Sequence, residues 1–172
     1  MLPWVGSEYD LTKILIIGES SYLCEKSSIH KDPKGWYSSS LNELDEKNNE
    51  EISWTDIRKN ISDGIKEKWS RKGHLIFKNI DDAISQEILG RKKSNNAFSY
   101  LAYYNYFLRP AIYKKSLKVT QYDSDLSLKV FHDVIRIINP QIIIFDSILS
   151  WNDFAKHKLH YFDEVTKNRL LK

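Results

Sequence analysis

Lys13-Ile14-Leu15-Ile16-Ile17-Gly18-Glu19-Ser20-Ser21-Tyr22 is the stretch on which the fold turns. Four successive apolar residues rich in β-branching read as a strand buried on both faces, the kind found inside a parallel sheet. Gly18 ends the strand. Glu19 to Tyr22 then form a polar loop at its C-terminal end, where ligand sites collect in open α/β sheets. Working outward, Gln141 to Phe145 is a second strand of the same type. Between the two, Ile57, Ile61, Ile65 and Trp69 recur at four-residue spacing and predict a helix over 54–69, with Ser53 or Thr55 near its cap. Ile80, Ala83, Ile84, Ile88 and Leu89 predict another over 79–89, stopped by Gly90. Ser94 or Asn95 caps a third, short helix through Ala102, and a strand follows from Tyr103 to Leu108. Leu126, Val130, Val134 and Ile137 predict a helix from Ser124-Asp125 to Asn139-Pro140. Ser150 or Asn152 opens a last short one. Strands alternating with helices give an α/β fold with a mainly parallel sheet.

The chain of 172 residues is sized for a single domain spanning 1–172. Residues 27–51, with Pro33, Gly35, three serines at 38–40 and an acidic, Asn-rich run, read as a long irregular insertion. The apolar runs are too short for a transmembrane helix, and Met1-Leu2-Pro3-Trp4 does not resemble a signal peptide. The expectation is a soluble, cytoplasmic protein without a membrane partner. One cysteine, Cys24, excludes an intramolecular disulfide framework, and it reads as a small buried group rather than a nucleophile. His30, His74, His132, His157 and His160 lack metal-ligand spacing, so no metal is expected. The Gly18 loop lacks the repeated glycines of a nucleotide-cofactor site, so no cofactor is expected.

The charge is uneven. Lys and Arg total 26 against 23 Asp and Glu, for a net charge of +3. Residues 91–118 nevertheless contain Arg91, Lys92, Lys93, Arg109, Lys114, Lys115 and Lys118 and no acid. Phe98, Tyr100, Tyr103, Tyr104, Tyr106, Phe107 and Tyr113 are interleaved with them. Cations for phosphates and rings for bases make a nucleic-acid surface. The same rings also suit core packing, and the same lysines suit a solvated face.

Pro3-Trp4-Val5-Gly6, followed after a short gap by the Ile14 strand and Gly18-Glu19-Ser20-Ser21-Tyr22, resembles the opening of the uracil-DNA glycosylase-like superfamily. Tyr104-Asn105-Tyr106-Phe107-Leu108-Arg109-Pro110 is similar to the segment that carries the family's base-reading Asn. Val130 to Ile144 resembles its later helix and third strand. The matches keep the family's order over about residues 3–151. The resemblance implies a three-layer α/β/α sandwich around a central, mainly parallel four-stranded sheet. It also implies a DNA glycosylase-like hydrolase that flips a base out of the strand and breaks its N-glycosidic bond. Carried over by position, Glu19 and Ser20 are the catalytic candidates that position water. Gly18, Tyr22 and Asn105 bind the base, Tyr22 by stacking and Asn105 by its amide. Arg109 holds a phosphate. Lys92 and Lys93 are phosphate-binding candidates on separate grounds, as part of the basic 91–118 stretch.

The chain also departs from the family pattern. Ser20 stands where many branches place Asp or Asn, and a hydroxyl is no general base at neutral pH without help. The late His-Pro-Ser type motif is missing, and His157 and His160 are the only histidines beyond Trp151. A fourth strand falls at Lys158 to Phe162, or is supplied by a partner. Two other functions therefore remain open. One is a non-catalytic module that binds nucleic acid or a nucleobase. The other is a protein-interaction domain with a vestigial pocket, whose open sheet edge takes a second copy or another protein.

Overall fold

β2, Ile14–Gly18, is an inner strand of the sheet, and the rest of the molecule is positioned from it. Successive side chains of a strand point to opposite faces. Ile14 and Ile16 join one apolar cluster, while Leu15 and Ile17 join another. The first cluster takes Ile57 and Ile61 from α2 (Ile57–Lys66), and Phe77 and Ile84 from α3 (Leu75–Glu87), together with Trp69 and Phe98. The second takes Phe131 and Val134 from α4 (Gln121–Ile138), together with Tyr106 and Phe107. Each fully buried side chain of this size contributes roughly 1.5–3 kcal/mol, so a strand covered on both faces anchors the domain.

The computed structural model describes residues 2–39, 53–87, 90 and 96–157. Within them the sheet has four strands, in the order β1 (Trp4–Val5), β4 (Leu101–Asn105), β2 and β6 (Ile142–Phe145). β4, Leu101–Asn105, runs parallel to β2, with Ile14 opposite Leu101 and Gly18 opposite Asn105. β6, Ile142–Phe145, runs parallel on the other side, with Ile17 opposite Phe145. β1, Trp4–Val5, closes the far edge of β4 in the antiparallel sense. The protein is thus mixed α/β with a mostly parallel four-stranded sheet. The fourth strand is the N-terminal β1; the segment 158–162, expected in that role, lies outside the described residues. A second small sheet pairs β3, Tyr22–Leu23, with β5, Ala111–Ile112. No helix among the described residues is long and apolar enough to cross a membrane.

Several boundaries differ from expectation for identifiable reasons. α2 starts at Ile57 because Asp56, not Ser53 or Thr55, caps it by accepting from the Arg58 amide at 3.0 Å. α4 starts at Gln121, before Ser124-Asp125, because Thr120 and Asp123 form a reciprocal capping box. It ends as expected: Asn139 is left-handed at φ 47°, and Pro140 follows. The third helix is only a 3-10 turn, Ala97–Ser99. The Asp81 carboxylate accepts from the Ala97 amide and from Trp69 Nε1, both at 2.7 Å, and the chain is extended by Leu101. The insertion is also more regular than its composition implies, since α1, Pro33–Ser38, forms there under an Asp32 cap. A last helix, α5, runs over 148–157, opening before Ser150 or Asn152.

Candidate functional site

The C-terminal ends of β2, β4 and β6 lie side by side and open into one cleft of about 1090 Å³. Its floor comes from the residues that end or follow the strands: Glu19, Ser20 and Tyr22 after β2, Asn105 at the end of β4, and Asp146 and Ser147 after β6. The opposite wall is largely apolar. Trp54 precedes α2, Ile57 belongs to it, and Ile76 and Phe77 lie on α3, with His74 just before them. Tyr113 and Ser116 form part of the lining beyond β5.

The loop after β2 is fixed along its length by the segment after β4. Tyr106 N–H donates to the Gly18 carbonyl at 3.0 Å, Phe107 N–H to Glu19 at 2.9 Å, Ala111 N–H to Ser21 at 2.8 Å and Tyr113 N–H to Leu23 at 2.8 Å. Asp146 N–H donates to Ile17 at 3.0 Å and holds the β6 loop against the same strand end. A Cβ at Gly18 would collide with the Tyr103 hydroxyl and come within 2.6 Å of Asn105 Oδ1. Glycine here is what lets three strand ends converge.

Two carboxylates meet on this floor. Glu19 Oε2 accepts from Ser147 Oγ at 3.1 Å, while Glu19 Oε1 is buried and meets no hydrogen-bonding group of the protein. Asp146 borders the open cleft. Partial desolvation by its walls, and then the nearby Glu19 charge, push the Asp146 carboxyl up to about 6. Burial, Glu19 and Asp146 together raise the Tyr22 hydroxyl, and burial with Asp146 and Tyr22 raises Tyr103 well above its usual range. Both phenols therefore stay protonated at neutral pH and remain available as donors. Asn105 Nδ2 donates to Ser21 Oγ at 3.2 Å. Among the described residues Ser20 Oγ meets no partner, and none of them is placed as a base to activate it.

Of the sequence candidates, Gly18, Glu19, Ser20, Tyr22 and Asn105 come together at this cleft. Arg109 does not. It is buried and bound to Asp123 through Nε at 2.8 Å and Nη2 at 2.7 Å, and it donates also to the carbonyls of His30 and Lys118. Its donors are used inside the protein, which corrects the phosphate-binding assignment. Lys92 and Lys93 lie outside the described residues. The aromatic surface is corrected as well. Phe98, Tyr103, Tyr104, Tyr106 and Phe107 are core residues, and Tyr113 is the exposed ring of the set. Cys24 is exposed rather than buried and lines the cleft.

Two cleft residues were not singled out by the sequence. His74 was one of five scattered histidines, yet among the described residues it is the one that lines the cleft. His157 instead places Nδ1 2.8 Å from the Asp153 carbonyl within α5, and His160 lies outside the described residues. Asp146 had a usable signal, since it is the first polar residue after an apolar parallel strand, the position that Glu19 nearly occupies after β2. Compared with known proteins, the chain matches no family model, and no curated protein or solved structure is significantly similar to it.

Proposed function

We propose that the chain is a DNA glycosylase-like protein that accepts a flipped base into this cleft, on a three-layer α/β/α scaffold of the uracil-DNA glycosylase type. The fold part of this reading is supported by apolar clusters on both sides of β2 and by the parallel order of β4, β2 and β6. One observation carries the function: paired carboxylates, an amide and aromatic rings share one cleft at three adjacent strand ends. Tyr22 and Phe77 supply faces for a planar base, and Asn105 offers an amide to its edge. Glu19 and Asp146 stand where base and sugar join, beside both the base edge and C1′. As the C1′–N bond breaks, the bonding pair leaves with the base and the sugar becomes cationic. An ionised carboxylate stabilises that cation and takes a proton from the water that attacks C1′.

The test is an excision assay on single-stranded and duplex oligonucleotides carrying uracil, hypoxanthine, xanthine or bulky modified pyrimidines, with abasic sites revealed by alkali. The expected result is abasic product that disappears in Glu19→Gln and Asn105→Ala. No product on any substrate, with salt-sensitive DNA binding retained, favours the second reading, a non-catalytic module for a nucleobase or nucleic acid. That reading draws on the unpartnered Ser20 hydroxyl.

A further inference from the structure

The polar groups on the cleft floor are unbalanced. Glu19 Oε1 meets no donor, Asp146 adds a second carboxylate beside it, and Asn105 spends an N–H on Ser21. Acidic side chains alone do not define a ligand, but two other side chains here do point to one. Ser20 is only 7 % exposed and His74 only 8 %. Both line the cleft, and Ser20 Oγ and His74 Nδ1 meet no hydrogen-bonding group of the protein. Buried polar atoms are normally satisfied, so such atoms along one cleft mark where a ligand's polar edge belongs. The charge of that ligand is constrained too. Among the described residues Arg71 is the one Lys or Arg in the lining, and it is ion-paired with Glu67. An anionic head group would meet two carboxylates and no free guanidinium or ammonium among the described lining residues.

We infer that the cleft selects planar bases that present N–H donors, amino-bearing or cationic, over keto bases of the same shape. This deepens the proposed function and rests on its placement of the base in this cleft. The physical reason is a mismatch of lone pairs. A carbonyl turned toward Glu19 and Asp146 sets acceptor against acceptor and leaves all of them without a hydrogen, whereas an exocyclic amine gives the carboxylates one each. A site organised around such a hydrogen bond rejects the analogue lacking it far better than an apolar pocket rejects a change of size. The apolar wall of Trp54, Ile57, Ile76 and Phe77 leaves room beyond the ring, so alkyl substituents on the base are accommodated.

The measurement is equilibrium binding to the whole chain by isothermal titration calorimetry, with two near-isosteric pairs, cytidine against uridine and adenosine against inosine, and the cationic 1-methyladenosine. The expected order is amino over keto in both pairs by about tenfold or more, with 1-methyladenosine among the tighter ligands. Glu19→Gln and, independently, Asp146→Asn should each reduce the preference toward parity while thermal melting shows the protein still folded. Uridine and inosine binding as well as their partners would overturn the inference. So would a preference that survives both substitutions, or no nucleoside binding at all. Running the excision panel beside it separates the two claims. With cytosine, adenine and 1-methyladenine added to that panel, amino selectivity without abasic product from any of them leaves this inference standing and removes the glycosylase reading. Preferential excision of uracil does the reverse.

Discussion

At Asp146 a single carboxyl reports on its surroundings. Its raised value of about 6 comes first from the cleft walls and second from Glu19, although the open cleft lets water screen part of the effect. If its charge serves the cationic sugar, the ionised form is the working one. Excision should then rise with pH through about 6 and level off above it, and Asp146→Asn should remove that step from the profile. Glu19, Tyr22, Tyr103 and, across the cleft, His74 are the other titratable neighbours. A control His74→Gln that leaves the step in place assigns it to the carboxylate. Gly18 makes a second prediction at this scale. Gly18→Ala forces the added methyl against Tyr103 and Asn105, so urea denaturation should show a loss of about 1–3 kcal/mol, with base binding impaired in the same protein. Gly18 and Glu19 were legible because they follow directly on an unmistakable strand. Asp146 was not, because its meaning depends on Glu19, more than a hundred residues earlier in the chain; the adjacent Ser147–Glu19 contact spans 128 positions.

Among the elements, α4 shows how one buried carboxylate can organise a whole helix start. Asp123 accepts from Arg109, from the Tyr37 hydroxyl at 2.7 Å, and from both the amide and hydroxyl of Thr120. Burial acts to raise its carboxyl, but these hydrogen bonds together outweigh burial and hold it below its ordinary value of 3.8. A depressed folded-state value adds stability that is fully present above the unfolded value. That stability is lost as pH falls through the lower folded value. Acid unfolding of the native protein should therefore steepen below about pH 4, and Asp123→Asn should flatten that limb while lowering stability at neutral pH. Arg109→Ala leaves the Asp123 carboxylate buried without its cation and should cost about 3–5 kcal/mol, read by chemical denaturation. Sequence periodicity predicted the body of α4 and its Asn139-Pro140 end well, because both are local. The Arg109–Asp123 pair was invisible to it, since a basic residue before proline looks the same whether it faces water or a buried carboxylate.

Over the whole molecule, the parallel arrangement of β2 and β6 followed from two apolar runs, and the position of the cleft followed from where strands of that kind end. The wall opposite them was harder to read. Trp54, His74 and Phe77 belong to segments whose helical pattern announces a buried face but not which strand ends it overlooks. Basic residues beside the cleft remain exposed: Lys114, Lys115 and Lys118 follow Tyr113, and Lys115 is paired with Glu25. If DNA lies there, replacing Lys114 and Lys118 by Gln should weaken duplex and single-strand binding alike. The slope of log affinity against log salt should become shallower by roughly one unit per lost contact. An unchanged slope would place the phosphate track elsewhere on the surface.

The order of the strands also has a consequence for how the chain is made. β1 leaves synthesis first, yet its partner is β4, and Trp4 Nε1 donates to the carbonyl of Phe98, 94 positions later. β2 waits nearly as long for β4 and longer still for β6. A ribosome must therefore deliver the chain as far as β4 before the first pair of these sheet strands can close. Until then the most apolar segment of the protein has no neighbour to pair with. Chains of such non-local connectivity fold slowly and expose sticky segments while they wait. Slowing translation just after β4, or lowering the growth temperature, should therefore raise the soluble yield of this protein more than strengthening any single contact in its native state.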